Sequence, residues 1–372
     1  MSQTDQTQID QHFMRMALRL AGRGLGRVAP NPAVGCLLVK GGHIIGRGWT
    51  QTGGRPHAET MALQDAGKAA EGATAYVTLE PCSHQGKTPP CCDALIEAGV
   101  ARVVSALQDP DERVNGDGIA RLKDAGIEVV EGVCESEALD GNIGFVESKT
   151  IEKPLVTLKM ATSLDGKIAT KTGSSQWITG PEARRYGHKL RAEHDAIMVG
   201  IGTALADDPA LTCRLPGLED FSPIRIVADT RLRLPLTSEL VKTAHQTPLW
   251  IVTIPGNDPD RVQAIRDLGI DVIEVDPTET GLPDLKDALR LLTEKGITRL
   301  LVEGGSHLQA SLIKEGLVDR LMWFRASKII GGDGISAFQS IGLKEVQEAP
   351  LLELDGIRPL GDDQLECYFL RN

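Results

Sequence analysis

Short β-branched runs recur along this chain with helical stretches between them, and that alternation limits the fold more than any other feature. "DQHFMRMALRLAGRG" places Phe13, Met14, Ala17, Leu18 and Ala21 on one helical stripe, with Asp10 as the expected N-cap and Gly22 as the stop. "AVGCLLVKGGHIIGRGW" reads as two strands around a Gly41-Gly42 turn. A helix from His57 to Ala66, the buried strand "TAYVTLE" and the short helix "CCDALIEAG", closed by Gly99, come next. The strand "RVVSAL" and the helix–glycine–strand "GIARLKDAGIEVVEG" follow. The pattern predicts a layered α/β domain with a largely parallel sheet. Periodicity then lapses in "VESKTIEKPLV", which puts a boundary between Lys149 and Pro154. Beyond it "LVTLKMA", "DAIMVG", "IRIVAD", "LWIVTI", "DVIEV" and "RLLVEGG" alternate with helical patterns such as "EARRYGHKLRAE". At 372 residues the chain exceeds one hydrophobic core. Two three-layer α/β domains are expected, 1–150 and 151–372.

The formal net charge of −11 opposes a polyanionic partner, and no dense Lys/Arg face offsets it, so nucleic acid is not expected. No apolar run approaches the ~18 residues of a membrane span. The polar start "MSQTDQTQIDQ" does not resemble a secretion signal. With 7 scattered cysteines and no such signal, the expected location is the cytoplasm.

The chemistry concentrates in two stretches, "GRPHAETMAL" and "LEPCSHQGKTPPCCD". A histidine, a glutamate two residues on and a later Pro-Cys…Cys form the pattern of the zinc deaminases, where His and two Cys bind the ion and Glu moves protons. Two thiolates and an imidazole suit Zn²⁺ and leave a fourth position for water, whose pKa zinc lowers toward ~7. His57, Cys82 and Cys91 are the expected ligands and Glu59 the catalytic residue. His57 and Cys91 each begin a helical pattern, where the dipole favours thiolate. Adjacent Cys91 and Cys92 cannot easily face one ion, so Cys92 is left either to packing or to a supporting place behind the ligands. The competing reading is a closed structural site with Cys92 or His84 as fourth ligand. No Cys-x-x-Cys is present to support redox chemistry.

These stretches, together with "APNPAVGCLLV", resemble the deaminase half of the bifunctional riboflavin-biosynthesis deaminase–reductases. The eight residues "SHQGKTPP" between Cys82 and Cys91 are similar to that family's insertion, whereas nucleic-acid base deaminases have two. "KMATSLDGKIA", "SSQWITG", "LRAEHDAIMVGIGTALADDPALTCR" and "VEGGS" match the reductase half in order. The resemblance implies a cytidine-deaminase-like domain followed by a dihydrofolate-reductase-like one, with one Zn²⁺ per chain and NADPH as cofactors. The implied substrate is 2,5-diamino-6-(5-phosphoribosylamino)pyrimidin-4-one, a small phosphorylated pyrimidine. It would be deaminated first and then reduced from ribosyl to ribityl. A homo-oligomer, dimer or tetramer, is also expected. The alternative is a deaminase of another nucleobase or nucleoside fused to a folate-type reductase.

The same resemblance implies site residues. Asn31, His84 and Lys87 would touch the deaminase substrate, with Lys87 on its phosphate unless it is a solvated loop lysine. In the second half there is no G-x-G-x-x-G fingerprint, but "LLVEGGSHLQASL" puts two glycines between a strand and a helix N-terminus, a phosphate cradle or merely a tight turn. The resemblance favours the cradle. It assigns Ala161, Trp177, Thr203, Asp207, Thr230, Gly305, Ser306, His307, Leu308, Gln309, Ala310 and Ser311 to the cofactor. Ser175, Arg191, Leu211, Arg214 and Glu303 go to the reductase substrate, with the two arginines suited to its phosphate. Against this, Trp177 could be a core aromatic and Arg191 a solvated helix residue. Ser327, in "RASKIIGG", stands where the family commonly has proline.

Overall fold

The computed structural model describes residues 3–85, 89–111 and 114–370, and the chain divides between Glu152 and Lys153 into two units. The first contains α1 (Gln3–Ala21), β1 (Gly35–Lys40), β2 (His43–Trp49), α2 (Ala58–Ala66) and β3 (Thr74–Val77). It continues with α3 (Cys91–Glu97), β4 (Arg102–Ser105), α4 (Asp117–Asp124), β5 (Glu128–Val130) and α5 (Glu135–Thr150). The sheet order is β2-β1-β3-β4-β5. β3, β4 and β5 run parallel, but β1 is antiparallel to both β2 and β3. The sheet is therefore mixed rather than largely parallel, because the two-residue Gly41-Gly42 turn can only reverse the chain.

Strand alternation builds the layers. Cys36 and Leu38 of β1, Ala75 and Val77 of β3 and Val103 of β4 face the core under α2 and α3, where Ala58, Ala62, Cys92 and Leu95 meet them. Leu37, Val39, Tyr76 and Val104 face the opposite way, onto Phe13, Met14 and Ala17 of α1. β2 lets α2 come close: a Cβ on Gly48 would stand 2.0 Å from the Ala58 carbonyl oxygen. That contact seats the start of α2 on the sheet.

Two local readings are corrected. Asp10 is not an N-cap, since α1 begins seven residues earlier. Its carboxylate is 3% exposed and receives two N–H bonds from the Arg102 guanidinium, each 2.8 Å, and one from the Tyr76 hydroxyl at 2.9 Å. A buried cation, not a helix end, explains that aspartate. The polar "VESKT" is the last turn of α5, an element the periodicity did not reveal because the helix carries Gly141 and Gly144 and a mixed face.

The second unit contains β6 (Leu155–Thr162), β7 (Lys167–Ala169), α6 (Pro181–Ala192), β8 (Ala196–Gly200), α7 (Ile201–Asp207) and β9 (Ile224–Ala228). Next come α8 (Glu239–Lys242), β10 (Leu249–Thr253), α9 (Pro259–Arg266), β11 (Asp271–Glu274), α10 (Leu285–Glu294) and β12 (Arg299–Glu303). It closes with α11 (Ser306–Lys314), β13 (Arg320–Arg325), β14 (Ile335–Ser336), β15 (Leu352–Leu360) and β16 (Asp363–Leu370). Nine strands form one sheet in the order β11-β10-β9-β8-β12-β6-β13-β16-β15, with apolar cores on both faces. The strands from β11 to β13 are parallel, while β16 and β15 add an antiparallel hairpin at the edge. Ser327 lies in the loop after β13, and its hydroxyl donates to the Asp362 carbonyl at 2.7 Å.

Candidate active sites

Three segments bring the metal-binding side chains together. His57 is the N-cap residue of α2 in extended backbone (φ −71°, ψ 163°), and its ring makes no capping bond. Cys91 opens α3 behind Pro90, and Cys82 follows the end of β3. The imidazole Nδ1 lies 3.3 Å from Cys91 Sγ and 3.6 Å from Cys82 Sγ, and the three ligand atoms all fall within 4.8 Å of one another. A tetrahedral zinc with Zn–N ~2.0 Å and Zn–S ~2.3 Å needs N···S edges of about 3.5 Å. The donor set fits the ion.

Among the described residues neither Cys92 nor His84 joins this group. Cys92 is buried in the core beneath α2 and α3, which removes it as a fourth ligand. His84 lines the adjoining cavity, and its buried Nδ1 has no hydrogen-bond partner among the described residues.

The electrostatics of the metal-free group ionise one of the two thiols. The Cys82 thiol is held down to about 4, chiefly because Cys91 donates to it, helped by His57 and by the Cys91 backbone N–H at 3.3 Å. The Cys91 thiol is correspondingly raised. Glu59, in the first turn of α2, is 3% exposed, and burial followed by the Cys82 charge pushes its carboxyl up to about 7. A carboxyl near neutrality can both accept and return a proton. His57, Glu59 and Cys82 line a cavity of about 190 Å³ that also takes in Asn31 and His84. Lys87 lies outside the described residues. Arg55, Asp109, Asp111 and Lys149 also line it and were not singled out from sequence.

In the second unit, Gly304 and Gly305 join β12 to α11 with φ of +76° and +84°, where L side chains are strained. A Cβ on Gly304 would also press to 3.3 Å from Thr203. Beside this turn lies a cavity of about 490 Å³. Ala161, Thr203, Asp207, Gly305, Ser306, His307 and Gln309 line it, as do Ser175, Arg191, Leu211 and Glu303. Leu308 and Ala310 are buried and do not line it, nor does Ser311. Successive helix residues turn by about 100°, so a run of seven cannot share one face. Thr230 is also absent from the wall, and its carbonyl instead accepts from Thr253 and Asn257.

A second cavity of about 300 Å³ is lined by Trp177, His188 and Arg214. Trp177 is 61% exposed, with the Arg184 guanidinium 4.6 Å from its ring centroid, so it is not a core aromatic. The two cavities share Lys159, Ala161, Arg191 and Glu303. Arg191 is not a solvated helix residue. It donates from Nε and Nη2 to the two Glu303 oxygens at 2.9 and 2.8 Å, and from Nη1 to the Thr212 carbonyl at 2.9 Å. Its charge is already matched by a carboxylate, which weakens it as a phosphate clamp. Lys159, with Nζ 3.8 Å from Glu303, was overlooked. Its signal was legible: one lysine inside the otherwise apolar strand "LVTLKMAT".

Each unit matches a described protein family. Residues 7–107 match the cytidine and deoxycytidylate deaminase zinc-binding region, and residues 154–365 match the RibD C-terminal domain. The chain is 43% identical to riboflavin biosynthesis protein RibD of Aquifex aeolicus, over 98% of this chain and 99% of that protein. To the Escherichia coli protein of the same name it is 42% identical, over 95% and 97%. The structure of Acinetobacter baumannii RibD superposes with a TM-score of 0.88 at 37% identity, covering 98% of this chain and all of that one. The Thermotoga maritima diaminohydroxyphosphoribosylaminopyrimidine deaminase/5-amino-6-(5-phosphoribosylamino)uracil reductase gives 0.86 at 35% identity over 98% of this chain and all of that one. With a cytidine-deaminase-like unit, a dihydrofolate-reductase-like unit and this likeness over nearly its whole length, the chain belongs to the RibD family of bifunctional deaminase–reductases of riboflavin biosynthesis.

Proposed function

We propose that the first cavity deaminates 2,5-diamino-6-(5-phosphoribosylamino)pyrimidin-4-one, and that the paired cavities of the second unit reduce the ribosyl group of the product with NADPH. The observation that carries this reading is the His57–Cys82–Cys91 group, two members of which share one cavity with buried Glu59. Zinc held by those three side chains supplies Lewis acidity toward water. Glu59 takes the two protons of that water in turn, passing the first to the ring nitrogen and the second to the amine, which departs as ammonia. The unpartnered Nδ1 of His84 and the amide of Asn31 are placed to recognise the pyrimidine. Lys87 is assigned to its phosphate.

In the second unit the glycine turn and the N-terminus of α11 hold the cofactor phosphates, with Thr203 and Asp207 opposite. Thr230, Leu308, Ala310 and Ser311 are withdrawn as side-chain contacts, because none lines either cavity. NADPH bound there would supply hydride to the carbon of the imine formed when the ribosylamine opens, and the imine nitrogen would then need a proton from the protein. Lys159, on the wall common to both cavities, is the donor we assign. Arg214 takes over the phosphate role, while Arg191 and Glu303 act as a paired floor.

The full enzyme should release one ammonia and oxidise one NADPH per substrate. Lys159→Met should stop the sequence at the deaminated intermediate, with ammonia release intact and NADPH oxidation down about 10²-fold. Undiminished NADPH oxidation would remove Lys159 from the chemistry.

A second copy of the chain is the partner we propose for β15, the edge strand of the large sheet. A bulge after Leu354 keeps Leu352, Leu354 and Ile357 opposite Leu370, Tyr368 and Glu366, so all three stand on one face. Each is exposed, Ile357 by 57%. Folded chains normally cover such an edge. Light scattering should find a dimer or larger assembly for the native chain and a smaller species for Leu354→Lys/Ile357→Lys. A native monomer would refute the interface. No helix among the described residues is long and apolar enough to cross a membrane. Two thiols kept free for zinc fit a reducing compartment such as the cytoplasm.

A further inference from the structure

Glu80 lies two residues before Cys82 and is buried, yet it belongs to none of the roles above. Its Oε2 accepts the backbone N–H of Asp109 at 3.2 Å and of Gly116 at 3.0 Å. Its Oε1 accepts those of Gly118 at 3.0 Å and Ile119 at 3.2 Å. Gly116, Gly118 and Ile119 are the N-cap and first turn of α4. Those N–H groups need acceptors that a glycine N-cap cannot offer from its own side chain. Glu80 caps the helix from another segment.

The seam is closed from the other side as well. A Cβ on Gly118 would stand 2.0 Å from the Pro81 carbonyl oxygen, so only glycine lets α4 press onto the Glu80-Pro81-Cys82 segment. The Glu80 N–H also donates to the Leu107 carbonyl at 2.8 Å. Between these anchors runs the wall of the deaminase cavity that includes Asp109, Asp111 and Val114. Asp109 Oδ1 accepts the Asp111 N–H at 2.9 Å, and Asp111 lies 3.6 Å from the Lys149 ammonium on α5.

We infer that Glu80 is a positioning residue of the deaminase, whose four accepted N–H bonds hold the wall carrying Asp109 and Asp111 at a set distance from the metal ligands and so fix the shape of the substrate cavity. This rests on the reading that the cavity takes the substrate. Glu80 also borders that cavity, but it is outside the metal-ligand group and both of its carboxylate oxygens are taken up by the four backbone N–H groups. Its effect is on how well the substrate is held.

Glutamine at this position keeps the size but offers one acceptor oxygen and turns an NH₂ toward two of the four donors. In full-length, zinc-loaded enzyme, Glu80→Gln should raise KM for ammonia release by about 10-fold while kcat moves by less than about threefold. Zinc content should stay at one per chain, and NADPH oxidation with pre-deaminated substrate should be unchanged. Gly118→Ala, which forces α4 off Pro81 and leaves the carboxylate in place, should shift KM in the same direction. An unchanged KM in either folded variant overturns the inference. So does a fall in kcat at constant KM, which is what a merely less stable protein gives. Should neither variant fold, hydrogen exchange on the native protein decides: the Gly116, Gly118 and Ile119 amides should be protected as strongly as those of β3, and loop-like exchange overturns the role. A native enzyme that releases no ammonia at all would instead bring down the deaminase reading beneath it.

Discussion

Replacing Glu59 with glutamine should leave one zinc per chain and lower ammonia release by at least about 10³-fold, with NADPH-dependent reduction of pre-deaminated substrate unaffected. The zinc stays because the ligand group is complete without the carboxylate: His57 Nδ1 lies 3.3 and 3.6 Å from the two Sγ atoms, near the N···S edge of about 3.5 Å that a tetrahedral ion requires. The rate falls because the amide can neither take a proton from water nor deliver one to the amine. Burial keeps the Glu59 carboxyl near 7, suited to moving protons in both directions. Metal analysis of the purified variant beside an ammonia assay checks the result. Loss of the ion would make Glu59 a ligand or a folding element, and retained activity would place the proton transfers elsewhere.

Arg191→Met should be the most damaging single change in the second unit, costing about 3–5 kcal/mol of its stability and most of the reductase activity, with ammonia release retained. The pair it breaks is bidentate and buried, with Nε and Nη2 at 2.9 and 2.8 Å from the Glu303 oxygens. Burial by itself would raise the Glu303 carboxyl, but the Arg191 and Lys159 charges outweigh that and hold it at about 2, below its ordinary 4.5. A carboxyl lowered in the folded state contributes stability that is fully present above pH 4.5 and is lost as pH falls through about 2. The variant, lacking the cation, should lose that acid dependence along with the stability. Unfolding titrations of both proteins from pH 6 down to about 2 provide the comparison, taking 4.5 as the unfolded value. Equal slopes and equal midpoints would show that the ion pair is neutral to folding.

What was readable in advance depended on whether a signal was local. "HAET" and "EPC…PPCC" carry donor types in an order that only a few metal chemistries need, and the folded chain brings His57, Cys82 and Cys91 to one point. Gly304 and Gly305 were readable as a strand-to-helix turn, and the positive φ at both is what calls for glycine there. Asp10 was misread, since nothing near it in the chain reveals that Arg102 and Tyr76 will bury against its carboxylate. Of the run from Gly305 to Ser311, Gly305, Ser306, His307 and Gln309 line the cavity, because resemblance marks a segment while helix rotation decides which side chains reach a wall.

Periodicity and motif spacing by themselves pointed to two layered α/β domains and a zinc-dependent deamination, since these depend on residue type and on spacings of a few residues, while the reductase reaction was implied by family resemblance. Pairing across long separations was left to tertiary packing: Arg191 with Glu303, Glu80 with the amides of α4, and Lys159 on the wall shared by two cavities. A buried charge must find its partner wherever the chain returns, and only the folded backbone states where that is.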